Sequence, residues 1–409
     1  MPRKGRGELR DKPQNTNSPR RILRGTPYSV RFLLLSSFLI PLGSFMVLPF
    51  MSVFLHERLG MGMGAVGVVL AVASLVQFSG GIFGGALAER AGLRTTMVAA
   101  LALRAAGFAA FAAALRWPSL SVVALLLTCC GAALYLPANK AYLVHGVPDG
   151  RRPAFLSVSN AALNAGMALG PLIAGPFVLS APGGLFVAVT ALFVLMTAGH
   201  ARLPDRKATD RPARDGPVTD DPPGNGLLRG IAPLPFTATV LSFYLYFYFQ
   251  HYLAVFAVER ASAEFYSLVL LTCFLQVIVV QPLASGWIGR LRYGRALTLG
   301  FAALAAGMAV LSGGSHGAIL LGAALITFGD LVLFLKNDLE ALARSPRSDA
   351  VVFGRQRLAA GLGACASGVL GGALGGGDGP LFWLLAAAQC AVLPPLLILC
   401  RDSREREPV

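Results

Sequence analysis

Twelve times along this chain an apolar run reaches the length that crosses a lipid bilayer. A hydrocarbon core about 30 Å thick takes roughly 20 residues of helix. Runs of that order lie near 32–55, 62–88, 95–115, 119–143, 154–180, 183–201, 234–257, 264–287, 296–312, 317–341, 353–376 and 379–400. Lipid offers no partner to backbone N–H and C=O groups, so a continuous apolar run can span it only as a helix that pairs those groups within itself. The expected fold class is an all-α membrane protein with twelve transmembrane helices. Composition points the same way: the chain is 55% hydrophobic and only 13% charged, against about 25% charged in soluble domains. A soluble enzyme is disfavoured on that ground.

The balance of 35 Lys and Arg against 20 Asp and Glu gives a net charge of +15. In a soluble protein such an excess would suggest nucleic acid as a partner. Here position decides otherwise. With the N-terminus placed inside, 29 of the 35 basic residues fall on that side, Arg58, Arg116 and Arg260 fall on the other, and Arg104, Lys140 and Lys336 lie within spans. Lys and Arg are retained on the cytoplasmic side of membrane proteins. Both termini are therefore expected in the cytoplasm, the chain is expected in the inner (plasma) membrane, and lipid rather than nucleic acid is its surroundings.

Residues 1–31 read as a basic cytoplasmic tail, and the apolar run after them exceeds a signal-peptide core, so it reads as a retained helix. Residues 202–233, rich in Pro, Asp and Arg, are too polar to fold alone and read as a cytoplasmic linker. They separate an N-terminal bundle, 32–201, from a C-terminal bundle, 234–400, with a short tail at 401–409. The halves echo each other at an offset of 201 residues, which sets Gly85 on Gly286, Gly170 on Gly371 and Gly175 on Gly376. Two pseudo-symmetric six-helix bundles about a linker suit a rocking transporter whose site lies between them.

The strongest local signal is GALAERAGLR, Gly85 to Arg94, in the turn after the second span. Gly85, Glu89, Arg90, Gly92 and Arg94 follow in order the signature of the major facilitator superfamily, which the chain resembles. The resemblance implies a charge latch in which Glu89 and Arg90 hold the cytoplasmic side shut. A solvated turn obeying the positive-inside rule explains the arginines but leaves Glu89 and the glycine spacing unexplained. The matching turn of the second half, GWIGRLRYGR from Gly286 to Arg295, keeps the bases and lacks the acid. In the fifth span, Gly166, Gly170, Pro171 and Gly175 are similar to the Gly-Pro motif of the antiporter branch. Ordinary small-residue packing with a proline kink is the competing reading. The stretch LALRAAGFA around Arg104 also resembles small bacterial multidrug exporters of the drug:proton antiporter branch.

A charge within lipid costs about 2.5 to 3.5 kcal/mol on insertion scales and is functional by default. Asp330, half way along the tenth span, is the acid at greatest depth. In a dry central cavity it could take up a proton or meet substrate; beside a cation such as Arg104 or Lys336 it would form a fixed ion pair. Lys336 follows by six residues and so sits on another face of the helix. Arg104 reads first as structural pairing with another helix, because the third helix of the family fold is peripheral, and Lys140 reads as a snorkelling side chain. In the seventh span, Tyr244, Tyr248, His251 and Tyr252 share one face at helical spacing. That face could hold an aromatic or amphipathic ligand or belong to an interfacial aromatic belt. Asn160 and Asn164 are further polar candidates for a cavity wall or an interhelical hydrogen bond.

Two patterns mislead. Gly62 to Gly67 spells a dinucleotide-binding GxGxxG without the preceding strand it requires, and Gly313 to Gly317 spells GxSxG between two helices. No catalytic constellation, metal site or cofactor is expected. The sequence implies a monomeric secondary transporter exporting small amphipathic or aromatic compounds by proton antiport. Import or facilitated passage of a metabolite on the same fold, and a non-transporting receptor or scaffold, stand as alternatives. The missing charge in the first span and the missing arginine in the fourth weigh against proton coupling.

Overall fold

The computed structural model describes residues 28–80, 87–88, 90–144, 152–205, 233–344, 349–376 and 379–404. Among them the chain is helical and holds no strand. The long helices are α1 (Tyr28–Phe45), α2 (Met63–Ser79), α3 (Leu93–Ala114), α4 (Leu120–Val144), α5 (Arg152–Val178) and α6 (Pro182–Ala201) in the first half. In the second are α7 (Pro233–Arg260), α8 (Ala263–Arg290), α9 (Tyr293–Leu311), α10 (His316–Arg344), α11 (Asp349–Ala373) and α12 (Pro380–Arg404). Nine spans among the described residues are long and apolar enough to cross a membrane, and Met63–Ser79 and Pro380–Val392 are shorter apolar helices.

Helix α1 is already formed at Tyr28, ahead of the residue 32 expected, and its regular part stops at Phe45. Pro49 explains the stop: it has no N–H to offer the carbonyl four residues back, which is that of Phe45, and its ring crowds that carbonyl. The chain continues as a 3-10 turn (Leu48–Phe50), a single helical turn (Met51–Val53) and a π turn (Phe54–Arg58). Elsewhere boundaries move by a few residues. Arg355 and Arg357, which are among the 29 basic residues assigned to the cytoplasmic side, lie inside α11, and α12 includes Arg404.

The order of packing repeats between the halves. In the first, α1 packs on α5, α3 on α4 and α6, and α2 on α4; in the second, α7 packs on α11, α9 on α10 and α12, and α8 on α10. The second set is the first with six added to each helix number. Contacts between halves obey the same rule, with α2 on α11 and α5 on α8, two pairs that a twofold rotation exchanges. Glycine permits the closest approaches. A Cβ on Gly307 would lie 2.8 Å from the Gly322 carbonyl, and one on Gly322 would lie 2.7 Å from that of Gly307. Lipid gives apolar side chains no reason to leave it, so helices associate by such backbone proximity and by polar contacts.

Candidate functional site

The halves meet along a seam at the end of the bundle that carries the α1–α2, α5–α6, α7–α8 and α11–α12 turns. On one side α2 lies directly on α11. A Cβ at Gly67 would stand 2.3 Å from the Gly368 carbonyl and 2.8 Å from the Gly372 Cα, so the two backbones touch there. Gly368 and Gly372 are four residues apart, the spacing that aligns two small residues on one helix face. Gly67 belongs to the GxGxxG pattern set aside as coincidence. Its nucleotide reading stays empty, yet the glycine is required by this approach. Deeper along α2, the Ser74 hydroxyl meets His251 Nε2 of α7 at 3.0 Å. There Phe78 lies edge-on to Phe243 and Phe247, with ring centroids 5.7 and 5.6 Å away.

On the other side, the Ser267 hydroxyl of α8 donates to the Pro171 carbonyl of α5 at 2.7 Å. Gly175 allows the contact, since a Cβ there would lie 2.6 Å from that hydroxyl. Tyr266 donates to the Pro49 carbonyl at 3.2 Å and packs edge-on to Phe50. The break in α1 thus presents a carbonyl to the opposite half. Gly166 and Gly170 face elsewhere: Cβ atoms there would meet the carbonyls of Phe38 and Leu42 at 2.3 and 2.6 Å. The Gly-Pro segment therefore packs on α1 through its first two glycines and on the opposite half through Pro171 and Gly175.

The aromatic face of α7 divides. Tyr248 and Tyr252 are wholly buried. The Tyr244 and Tyr248 hydroxyls are 2.7 Å apart, and Tyr244 also donates to Gln389 of α12. Tyr252 donates to the Gly368 carbonyl of α11 at 2.6 Å and lies edge-on to Phe382. The hydroxyls of all three are hydrogen-bonded inside their own half, and that of Tyr252 also lies against Gly67 of α2, where the halves meet. His251, by contrast, crosses the seam to Ser74, and its Nδ1 is buried without a hydrogen-bond partner.

Asp330 is half-buried on α10. It shares a helix face with Ala323 and Thr327, which turns toward α8, where Cys273 Sγ reaches the Ala323 carbonyl. The Tyr246 phenol of α7 is within electrostatic reach. Among the described residues no hydrogen bond or ion pair reaches the Asp330 carboxylate. The two cations considered for it are engaged elsewhere. Arg104, 5% exposed, donates to Ser44 of α1, and its guanidinium lies 4.7 Å from the Phe193 ring centroid of α6. Lys336 donates to the Gly289 carbonyl at the end of α8 at 3.1 Å. On α5, Asn160 is exposed, and Asn164 Nδ2 donates to its carbonyl at 2.9 Å.

Of the signature turn, Gly85 and Glu89 lie outside the described residues. Arg90 is exposed. Gly92 has φ +89°, a left-handed conformation that favours glycine, which accounts for that position of the motif by backbone geometry alone. Arg94 is 3.6 Å from the Asp205 carboxylate and donates to the Leu203 carbonyl at 3.4 Å. It ties the start of α3 to the end of α6 within the first half. Sequence reasoning missed Ser74, Ser267 and the Gly67–Gly368 approach. The signal available was the four-residue spacing of Gly368 and Gly372; single serines in apolar helices carry none.

The described helices form a membrane bundle whose packing order repeats after six helices. The chain matches the Major Facilitator Superfamily over residues 33–335, and it belongs to that family. It is a multi-pass membrane protein of that family. It is 37% identical over 178 residues to "Multidrug resistance protein MdtH" of Cronobacter sakazakii, covering 43% of this chain and 44% of that one. Against the protein of the same name from Edwardsiella ictaluri the figures are 32% over 215 residues, 52% and 50%. The chain thus spans about half the length of the curated relatives it matches. Among solved structures, an auto-inhibited POT family peptide transporter superposes with a TM-score of 0.72 at 16% identity, covering 94% of this chain and 98% of that one. A mutant form of the nucleoside transporter NupG gives 0.75 at 14% identity, covering 91% and 99%. At such identities the likeness concerns the fold.

Proposed function

We propose that this chain is a secondary active exporter of small amphipathic or aromatic compounds, working by alternating access of two six-helix bundles in a twelve-span fold and driven by inward proton flow. The observation that carries the reading is the seam. Its contacts are backbone approaches at glycine, single hydroxyl bonds and a few edge-on aromatic pairs, with no ion pair among the described residues. Such an interface can be bistable, and a ligand that contacts the two states differently will shift their balance. The positive-inside count puts the termini in the cytoplasm and the seam on the outer side, so the conformation described is closed to the outside.

Asp330 is the group we assign to proton coupling. A carboxylic acid that no cation holds in its charged form can be neutral where its surroundings are dry and charged where water enters. A membrane voltage of 100 mV contributes about 2.3 kcal/mol for each charge that moves inward, and a pH gradient adds to it. Export and the substrate class rest on the multidrug-resistance relatives and on the Gly-Pro segment of α5. Asn160 and Asn164 are assigned to the cavity wall. Arg104 and the tyrosines of α7 are assigned to the scaffold, and Glu89 with Arg90 to the cytoplasmic latch.

The test is a panel of amphipathic dyes and antibiotics in proteoliposomes with an imposed pH gradient. Compounds of this class are expected to move against their gradient only while the proton gradient lasts. Flux indifferent to pH, or no flux of any panel member, would overturn the reading.

A further inference from the structure

His251 is a titratable side chain at the seam to which proton-driven export gives no role. It is 6% exposed and lies on α7, nine residues before its last, Arg260, or about 14 Å from that end by helical rise. Its Nε2 is 3.0 Å from the Ser74 hydroxyl of α2, so one imidazole joins the two halves. Its Nδ1 is buried and has no hydrogen-bond partner. We propose that Nδ1 is a proton-binding site, filled from the outer solution only while the outer seam is open, so that an external proton there keeps the seam from closing.

The surroundings of the ring leave room for a proton and nothing larger. Phe247 and Tyr252 stand edge-on to it, with ring centroids 5.0 and 6.0 Å away, and Nδ1 is closed off from solvent. They also lack a counter-ion. Of the titratable groups on the elements packed around α7, Cys365 of α11, Tyr266 and Cys273 of α8, Asp330 of α10 and Cys390 of α12 make no hydrogen bond to the imidazole, and none is within electrostatic reach. Neither α2 over Met63–Ser79 nor the α1 turns at Leu48–Phe50 and Met51–Val53 carry a titratable side chain. On α7 itself, the Tyr252 hydroxyl is directed to the Gly368 carbonyl.

A neutral imidazole has one N–H, and protonation makes donors of both nitrogens. In the closed seam Nδ1–H would be a charged donor with neither an acceptor nor water, which is costly to bury. Once α2 parts from α7 and α11, water enters between Ser74 and His251, and an imidazole in water takes a proton near pH 6.5. Proton binding and outer closure therefore exclude each other. As the outer pH falls below about 6.5, the ratio of outward-open to closed molecules should rise by up to tenfold per pH unit, one proton being bound at each opening. The role differs from that of Asp330: a proton on the carboxylate removes a charge and permits burial, whereas a proton on His251 creates one and forbids it.

This role rests on the alternating-access reading, and the experiment separates the two. The purified full chain would carry spin labels at Trp117 and Leu381, exposed residues at the outer ends of the two halves. Distances would be measured from about pH 8 to about pH 5, a range that brackets the imidazole, beside His251→Gln and Ser74→Ala. In the parent chain the longer-distance population should grow by up to tenfold per unit below about pH 6.5. His251→Gln can still pair with Ser74 but binds no proton; it should keep the parent's distances at the alkaline end, which excludes misfolding, and lose the growth. Ser74→Ala leaves the imidazole in place and should retain the growth. Equal growth in the parent and in His251→Gln would overturn the proton site, and so would loss of the growth in Ser74→Ala. Distances that follow a transported dye and ignore pH would overturn it while alternating access stands; distances that follow neither would overturn both.

Discussion

Replacing Gly67 by alanine adds one methyl group where α2 lies on α11. Built on the observed backbone, that carbon sits 2.3 Å from the Gly368 carbonyl oxygen, 2.7 Å from the Tyr252 hydroxyl and 2.8 Å from the Gly372 Cα. Two of these neighbours are backbone and cannot rotate away. Ordinary contact needs roughly 3.4 Å, so the helices must separate by about 1 Å in the closed seam, and overpacking of this kind costs about 1 to 3 kcal/mol. Alanine also favours helix over glycine by about 0.8 to 1 kcal/mol. That gain is common to both conformations and leaves their balance untouched. The cost falls on the closed seam alone, so the outward-open population should rise about five- to 150-fold, at tenfold for every 1.4 kcal/mol. Gly64→Ala is the matched control, one turn earlier on α2, where the nearest atom would be 4.0 Å away. Spin-label distances between Trp117 and Leu381 read the population. A distribution in Gly67→Ala indistinguishable from that of Gly64→Ala would refute the reasoning.

Ser267→Ala removes the hydroxyl bond from α8 to the Pro171 carbonyl; a loss of about 1 kcal/mol should raise the outward-open population several-fold by the same measurement, and no change would show the bond to be incidental. Asp330→Asn should abolish transport driven by a pH gradient while the protein remains monodisperse and folded; retained antiport would remove Asp330 from the coupling. Tyr248→Phe should leave the KM for transported dyes within about twofold, since its hydroxyl is engaged by Tyr244 within the second half; a tenfold rise in KM would return that face of α7 to the substrate site.

The helices were legible because lipid imposes one length and one polarity on every span, and the apolar runs carry both. The break in α1 was not legible: the first span expected, 32–55, runs straight through Pro49, and the sequence did not show that the chain would continue through 3-10 and π turns to Arg58. Helical spacing sets Tyr244, Tyr248, His251 and Tyr252 near one face. It could not tell which neighbours that face would meet, and the tyrosines turned to α11 and α12 while His251 turned to α2. Asp330 was legible by its depth in an apolar run. That Arg104 and Lys336 would be held by Ser44 and by the Gly289 carbonyl was not, because both contacts depend on helix order in space. The seam glycines were hidden for the same reason: Gly67 and Gly368 are about 300 residues apart in sequence, and only the packing of α2 on α11 joins them.

The central claim is that the two halves exchange one closed end for the other. Distances measured in one preparation report this most directly, with one spin-label pair at Trp117 and Leu381 on the outer side and another at Leu136 and Leu339 on α4 and α10. As transported compound and pH are varied, the outer distance should lengthen in the molecules whose α4–α10 distance shortens. Two distances that stay fixed, or that lengthen and shorten together, would contradict the account.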